Sequence, residues 1–345
     1  MRRLALAWAA LALAASATVL AAGPYPNTAN FGVPFSKDED WYEQCMRVER
    51  LQPAPAPAQA RAAPDCDAIG LYDRKRSQAS TSQAEWDQVR GCALAKKDNA
   101  VLMMLYANGY GVARDMDRAM HHACIVDYIS KGEMESRIAH LAAGPKQDEY
   151  IDACDDIQSG YMGGVCSARR ETQAGRIRDA RLERAARGLP AVGRATFARL
   201  RQAAEHYATE AGGAETDMQG TAAAEFAIEH EAKLHEQAMQ AILDAIDGKL
   251  PPASAEDFAQ SDHQLNQAYG KVMAIPSTQE THPDRIGDST IEHADVRKAQ
   301  RLWLAYRDAF IAFRASMPSG PSADAIKTLL TAQRTAQLRK LESYR

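Results

Sequence analysis

The chain has 345 residues, 41 Lys and Arg against 45 Asp and Glu, a net charge of −4, and six cysteines. This length suits two or three small domains. Residues 23–160 carry 21 acids and 15 bases, 161–219 carry 7 and 10, and 220–345 carry 17 and 14. No segment therefore has the basic block, or the basic stripe with interleaved aromatics, that nucleic-acid binding requires. The mild acidity suits a basic partner instead.

Arg2 and Arg3 precede an uncharged apolar run from Leu4 to Leu20, and Val19-Leu20-Ala21 offers small side chains where a signal peptidase reads. Residues 1–21 are read as a signal peptide cleaved after Ala21 or Ala22. The competing reading, a retained anchor, needs about 20 apolar residues. This run has 17, and Gly23-Pro24 follows at once. No cysteine follows the cleavage site to carry a lipid, and no later segment is apolar for long enough to span a bilayer. The expected location is periplasmic or secreted.

Residues 22–37 hold Gly, Pro and Asn and read as an irregular lead-in. A helix is expected from Asp38 to Leu51. Pro53-Ala-Pro55-Ala-Pro57 cannot continue it and should be extended. Further helices are expected over Asp65 to Arg76 and Ala84 to Lys97, with the Ser/Thr cluster at 77–82 as the turn between them. Sustained alternation of β-branched residues is absent, so the expected class is all-α.

An even number of cysteines in an exported chain reads as a disulfide framework. A zinc site would need closer pairs than any of Cys45, Cys66, Cys92, Cys124, Cys154 and Cys166 form. Cys154 and Cys166 bracket Gly160, Gly163 and Gly164, which can bend to close a small loop. The other four allow three connectivities. Pairing of neighbours, Cys45 with Cys66 and Cys92 with Cys124, is favoured over Cys66 with Cys92 across a helical hairpin. Asp152, Asp155 and Asp156 around Cys154 lack the oxygen-ligand loop pattern and read as a solvated acidic turn.

The segment Asp98 to Cys124 is the most informative of the front half. Ala100, Leu102, Met103 and Tyr106 make an apolar helical face. Gly109 and Gly111 allow a tight reversal, Asp115 can cap the next helix, and Ala119, Met120 and Ala123 face inward. This stretch resembles a Sel-one-like repeat, a relative of the tetratricopeptide repeat, in Leu102, Tyr106, Gly109, Gly111, Val112, Asp115 and Ala119. Met103 stands where the family usually has a small residue, a departure that loosens helix packing. Hairpins at 65–97 and 131–143 would be degenerate copies, since one repeat cannot bury its own faces. The resemblance implies a scaffold for protein contacts over residues 38–166. Its plain counterpart is helical packing without a binding role.

Residues 167–250 are rich in Ala, Arg, Glu and Gln and should form long connecting helices. Breaks are expected near Gly188-Leu-Pro190 and Gly212-Gly213, with Arg178, Arg181, Glu183 and Arg184 on a solvated face. His230-Glu231-Ala-Lys-Leu-His235 has its histidines five apart, so a helix rotates the second off the shared face that zinc would need. His121 and His122 are adjacent and point apart, as packing or surface groups. Gly109-Tyr-Gly111 joins two helices with no Gly-Lys-Ser/Thr after it, unlike a phosphate loop. No nucleophile elbow occurs, and every cysteine has a structural role available. No enzyme, metal or cofactor is expected.

Beyond Pro251-Pro252, residues 251–345 contain three ordered blocks: Asp262-His-Gln-Leu265-Asn266-Gln-Ala-Tyr269, Ala299-Gln300-Arg301-Leu302-Trp303-Leu304-Ala305-Tyr306-Arg307-Asp308, and a last helix with Arg334 and Leu338. Together they resemble the LprI-type lysozyme-inhibitor domain over about 90 residues. That family usually has one cysteine soon after its Arg-Asp and another before the closing helix. Here Phe310-Ile311 and Lys327 to Leu330 occupy those neighbourhoods. The hairpin is then expected to hold by packing alone, with Trp303, Tyr306, Phe310 and Phe313 against Leu329, Leu330 and Leu338. Trp303 is expected in the core. Arg307 should anchor a neighbouring helix by a bidentate bond, and Asn266 should bond from helix to loop. The resemblance implies a helical inhibitor of a lysozyme-like hydrolase, or of a delivered antibacterial toxin. The rival reading is an envelope scaffold acting through the repeat-like region.

Overall fold

A computed structural model describes residues 24–51, 63–144 and 149–345. The expected signal peptide, residues 1–21, and the Pro53–Pro57 segment lie outside the described residues. Within them the protein is all-α. Its front half holds α1 (Asp40–Val48), α2 (Ala68–Arg76), α3 (Gln83–Lys96), α4 (Asn99–Asn108), α5 (Met116–Ala123) and α6 (Lys131–Ala143). The back half holds α7 (Gly160–Arg187), α8 (Ala191–Ala214), α9 (Ala223–Ile246), α10 (Ala255–Met273), α11 (His293–Ala315) and α12 (Ala323–Leu341), closed by a 3-10 turn, Glu342–Tyr344. No helix among the described residues is long and apolar enough to cross a membrane.

Short polar residues start these helices by accepting an orphan N–H of the first turn. Asp67, Asp98 and Asp115 do so for α2, α4 and α5. Ser82 with Glu85, Ser130 with Glu133 and Ser254 with Asp257 form reciprocal capping boxes at α3, α6 and α10. Glu133 reaches further. It is fully buried and also accepts from the Gln158 and Ser159 N–H groups at 2.8 Å, so one carboxylate ties the start of α6 to the start of α7. Burial opposes its charge, but these donors and Ser130 outweigh burial and hold it below the ordinary carboxylate range.

The front core gathers Trp41, Tyr72, Trp86, Met103, Met104, Met120 and Ile138 with their neighbours. Leu102, Tyr106 and Ala119 are buried in it, as expected of the α4–α5 hairpin. Met103, the departure expected to loosen packing, is fully buried. Gly109 ends α4 with φ +70°. Gly111 has φ +66°, and a Cβ there would lie 2.2 Å from the Trp86 Cβ of α3. Glycine at 111 therefore serves both the left-handed turn and the close approach of α3. His122 stacks on Tyr106, and His121 bonds with the Val48 carbonyl oxygen, so both adjacent histidines are packing groups.

The disulfides correct the favoured pairing of neighbours. Cys45 bonds Cys124, Cys66 bonds Cys92, and Cys154 bonds Cys166. The reason lies in helix contacts: α1 packs on α5 and α2 on α3, which brings together residues that chain order separates. The glycines expected to bend the Cys154–Cys166 loop instead occupy the first turns of α7. A Cβ on Gly160 would lie 2.4 Å from the Thr221 backbone at the approach to α9. The breaks expected near Gly188-Leu-Pro190 and Gly212-Gly213 fall where α7 gives way to α8 and where α8 ends at Ala214. Gly212, in that last turn, also lets α8 close on α9, where a Cβ would stand 2.5 Å from the Glu231 Cβ.

Two other polar expectations change. Around Cys154 the chain does turn and Asp155 is exposed as expected, but Asp152 is buried and shares Arg169 with Asp73 at 2.5 and 2.6 Å. Burial opposes the Asp152 charge, and Arg169 together with the Tyr150 hydroxyl and the Cys154 N–H outweighs it, depressing its pKa. Arg178 is buried and paired with Glu171, while Arg181, Glu183 and Arg184 are exposed as expected.

The back core runs without interruption from Leu182 through Phe197, Leu200, Ile242, Leu265, Trp303 and Phe310 to Leu341. Residues 182–250, read from sequence as part of a connector, thus share a core with 251–345. The principal partner of α11 is α8, and that of α10 is α12. The α7 helix, 28 residues and about 42 Å long, links the two cores.

Candidate functional site

Helix α10 buries Leu265, Ala268 and Val272, spaced three and four apart, against α12. The adjoining stripe, Asp262, Asn266 and Tyr269, faces α11 across a groove of about 350 Å³. The α11 wall is Arg297, Gln300, Arg301, Leu304 and Arg307, with the edge of Trp303 between them. Helix α11 can present this wall because Val296, Ala299, Trp303, Tyr306, Phe310 and Phe313 turn its other side into the core.

Seven residues singled out from sequence border this one groove: Asp262, Leu265, Asn266, Tyr269, Gln300, Trp303 and Arg307. Trp303 is buried, with the Arg307 guanidinium 5.3 Å from its ring centre. The expected long-range anchor at Arg307 is not formed. Its ion-pair partner is the adjacent Asp308, at 3.3 Å. Asn266 donates to Asp262 at 3.0 Å within its own helix rather than to a loop. Both side chains border the groove between α10 and α11, and each finds its partner on its own helix.

The anchoring role falls to Arg334 of α12. This fully buried guanidinium makes a bidentate pair with Glu215 at the end of α8, both bonds at 2.6 Å. It also donates to the Gln300 side-chain oxygen at 2.8 Å and the Tyr207 hydroxyl at 3.2 Å. Burial works against its charge, and the Glu215 carboxylate prevails and keeps it protonated. Gln300 therefore has one end on this buried cluster and its flank on the groove. Tyr306 points away, stacked on Tyr207 of α8 at 6.1 Å.

The loop between α10 and α11 is held rather than free. Ile275, Ile286 and Ile291 are buried, and His293 Nδ1 contacts the Asp284 carbonyl oxygen at 2.7 Å. Gly287, at φ +59°, lies under the C-terminal turn, where a Cβ would meet the Tyr344 oxygen at 1.7 Å.

Sequence reasoning missed Glu215, Tyr207, Arg297, Arg301 and Leu304 as parts of this assembly. Arg334 lies four residues from both Leu330 and Leu338 on a buried stripe, a signal that it needs a carboxylate. Nothing local points to one 119 positions earlier.

Chemically, the groove offers guanidinium and amide donors, one carboxylate and an apolar flank. It holds no nucleophile paired with a base. It is suited to gripping a polar protein surface by hydrogen bonds around an apolar contact. No curated protein and no solved structure matches the chain. Residues 252–338, the segment that builds both walls of this groove, match the family model described as Lysozyme inhibitor LprI.

Proposed function

We propose that the protein is an exported, non-catalytic inhibitor of a lysozyme-like cell-wall hydrolase, and that the α10–α11 groove and its rim form the contact surface. The observation that carries this is the convergence of motif residues from two helices on one groove, within the segment similar to the lysozyme-inhibitor family. Inhibition would be steric: a rigid helical face, braced beneath by Arg334 and Glu215, covers the hydrolase cleft. The overall acidic balance steers a basic enzyme toward it. Three disulfides and the apolar run after Arg2 and Arg3 support work outside the cytoplasm.

The test is a muramidase assay on Gram-positive cell walls with a panel of lysozymes and with any delivered toxin of the same chemistry. Inhibition at micromolar protein is expected. It should fall in R301E and L304D, whose parent side chains are exposed, with the melting temperature unchanged. Absence of inhibition across the panel by correctly folded protein removes the reading. The alternative is a scaffold built on the front helical stack. A pull-down from envelope extract that recovers assembly factors and no hydrolase would favour it.

A further inference from the structure

On α9 and α12, Gln337 donates to Gln237 at 3.2 Å. One turn along each helix, Lys340 meets Lys233 over a cleft of about 380 Å³. Two ammonium groups set side by side repel unless something of opposite sign lies between them. The carboxylates bordering the cleft are already engaged, Glu215 by Arg334 at 2.6 Å and Glu229 by Arg170 at 3.3 Å. Among the described residues, neither Lys233 nor Lys340 is within ion-pair distance of a carboxylate. The charge on Lys233, with burial and their direct contact adding to it, pushes Lys340 below the ordinary lysine range. His230, in the same wall, is shifted down by burial and so adds no charge at neutral pH.

The remaining lining indicates what kind of anion would fit. Gln337 and Ser343 supply neutral hydrogen-bonding groups, while Leu341 and Phe226, the latter 55% exposed, form an apolar flank. The volume is at the low end of that used for small ligands, roughly 300–1,000 Å³. We propose that this cleft binds a small organic anion, a carboxylate or phosphate monoester on a ring, with the anionic group between Lys233 and Lys340 and the ring against Phe226. The cleft shares no lining residue with the α10–α11 groove, so the proposal stands or falls apart from hydrolase inhibition.

The test titrates the full exported chain with phenyl phosphate, benzoate and inorganic phosphate at constant ionic strength, by calorimetry and thermal shift, with chloride as reference. Phenyl phosphate or benzoate is expected to bind and raise the melting temperature, and the stronger of the two identifies the anionic group. K233Q and K340Q should each weaken that binding by about tenfold or more. Their ligand-free melting temperatures should hold or rise, because each removes a like-charge contact. F226S should weaken phenyl phosphate and leave inorganic phosphate unchanged. No response beyond that to chloride, or equal binding by the K233Q/K340Q double variant, would overturn the proposal. Equal affinity for phosphate and phenyl phosphate would overturn its assignment of a ring against Phe226.

Discussion

Replacing Glu215 by Gln should be among the most damaging single changes in the back half. The carboxylate and the Arg334 guanidinium are 1% and 0% exposed, with both bonds at 2.6 Å. Opposite charges about 4 Å apart attract by about 4 kcal/mol at an effective dielectric constant near 20. Removing one partner of a buried pair costs about 3–5 kcal/mol, since the survivor stays buried without its counter-charge. Gln300 and the Tyr207 hydroxyl remain as neutral acceptors for Arg334 and cannot supply that charge. Urea unfolding, followed through Trp303 fluorescence in a background carrying W41F and W86F, reads the back core. E215Q should lose about 3–5 kcal/mol, whereas E215L/R334M, which removes both charges and fills the volume, should lie within about 1 kcal/mol of the parent. A loss below about 1 kcal/mol in E215Q, or a double variant as costly as the two single changes combined, would refute the reasoning.

Four further outcomes are expected. Burial foremost, then the charges of His121 and Arg118, lower His122 to about 4. Against an unfolded value near 6.5, its contribution is full above that pH, is lost as pH falls toward 4, and levels off below. It amounts to about 3 kcal/mol at most, and H122N should flatten that part of the stability–pH curve. R169M strands Asp73 and Asp152 as buried carboxylates and should cost about 3–5 kcal/mol, read by urea unfolding through Trp41 and Trp86. Cys45–Cys124 spans 79 positions and Cys154–Cys166 spans 12, so chain entropy assigns them about 4.5 and about 3 kcal/mol, and C45A/C124A should lower the melting temperature more than C154A/C166A. A fragment of 251–345 leaves Trp303, Tyr306 and Phe310 without α8 and should bind a hydrophobic dye, while 160–345 should show cooperative unfolding by calorimetry.

The elements most legible in the sequence were those with local causes. Asp115 announces the start of α5, and Gly109 with Gly111 announces the reversal between α4 and α5. Trp303, Tyr306, Phe310 and Phe313, spaced three and four apart, mark a buried stripe, and each of these is buried. Features that depend on distant partners were not legible. Gly212 reads locally as a helix end, which it is, but the close approach of Glu231 that also requires glycine there belongs to another helix. Cys45 and Cys124 pair only because α1 lies on α5. At the groove, the α10 stripe and the α11 motif were visible separately. Their juxtaposition was not, since it depends on how α12 and α8 seat the two helices.

The missing cysteines sharpen what α8 contributes. Packing between α11 and α12 was expected to hold the C-terminal hairpin alone, yet α11 lies mainly along α8 and α12 along α10. Two pairwise layers of this kind could slide past each other, because apolar contact is non-directional. The Arg334–Glu215 pair crosses from α12 to the end of α8, and Gln300 joins it from α11, so one buried polar cluster fixes the register of three helices. A buried polar cluster costs desolvation but admits few geometries, which is the property a disulfide would otherwise supply here. The groove lies directly above this cluster through Gln300, so the relative placement of its two walls depends on a carboxylate outside the segment that resembles the inhibitor family. The unit that positions the proposed contact surface therefore includes α8 as well as residues 252–338.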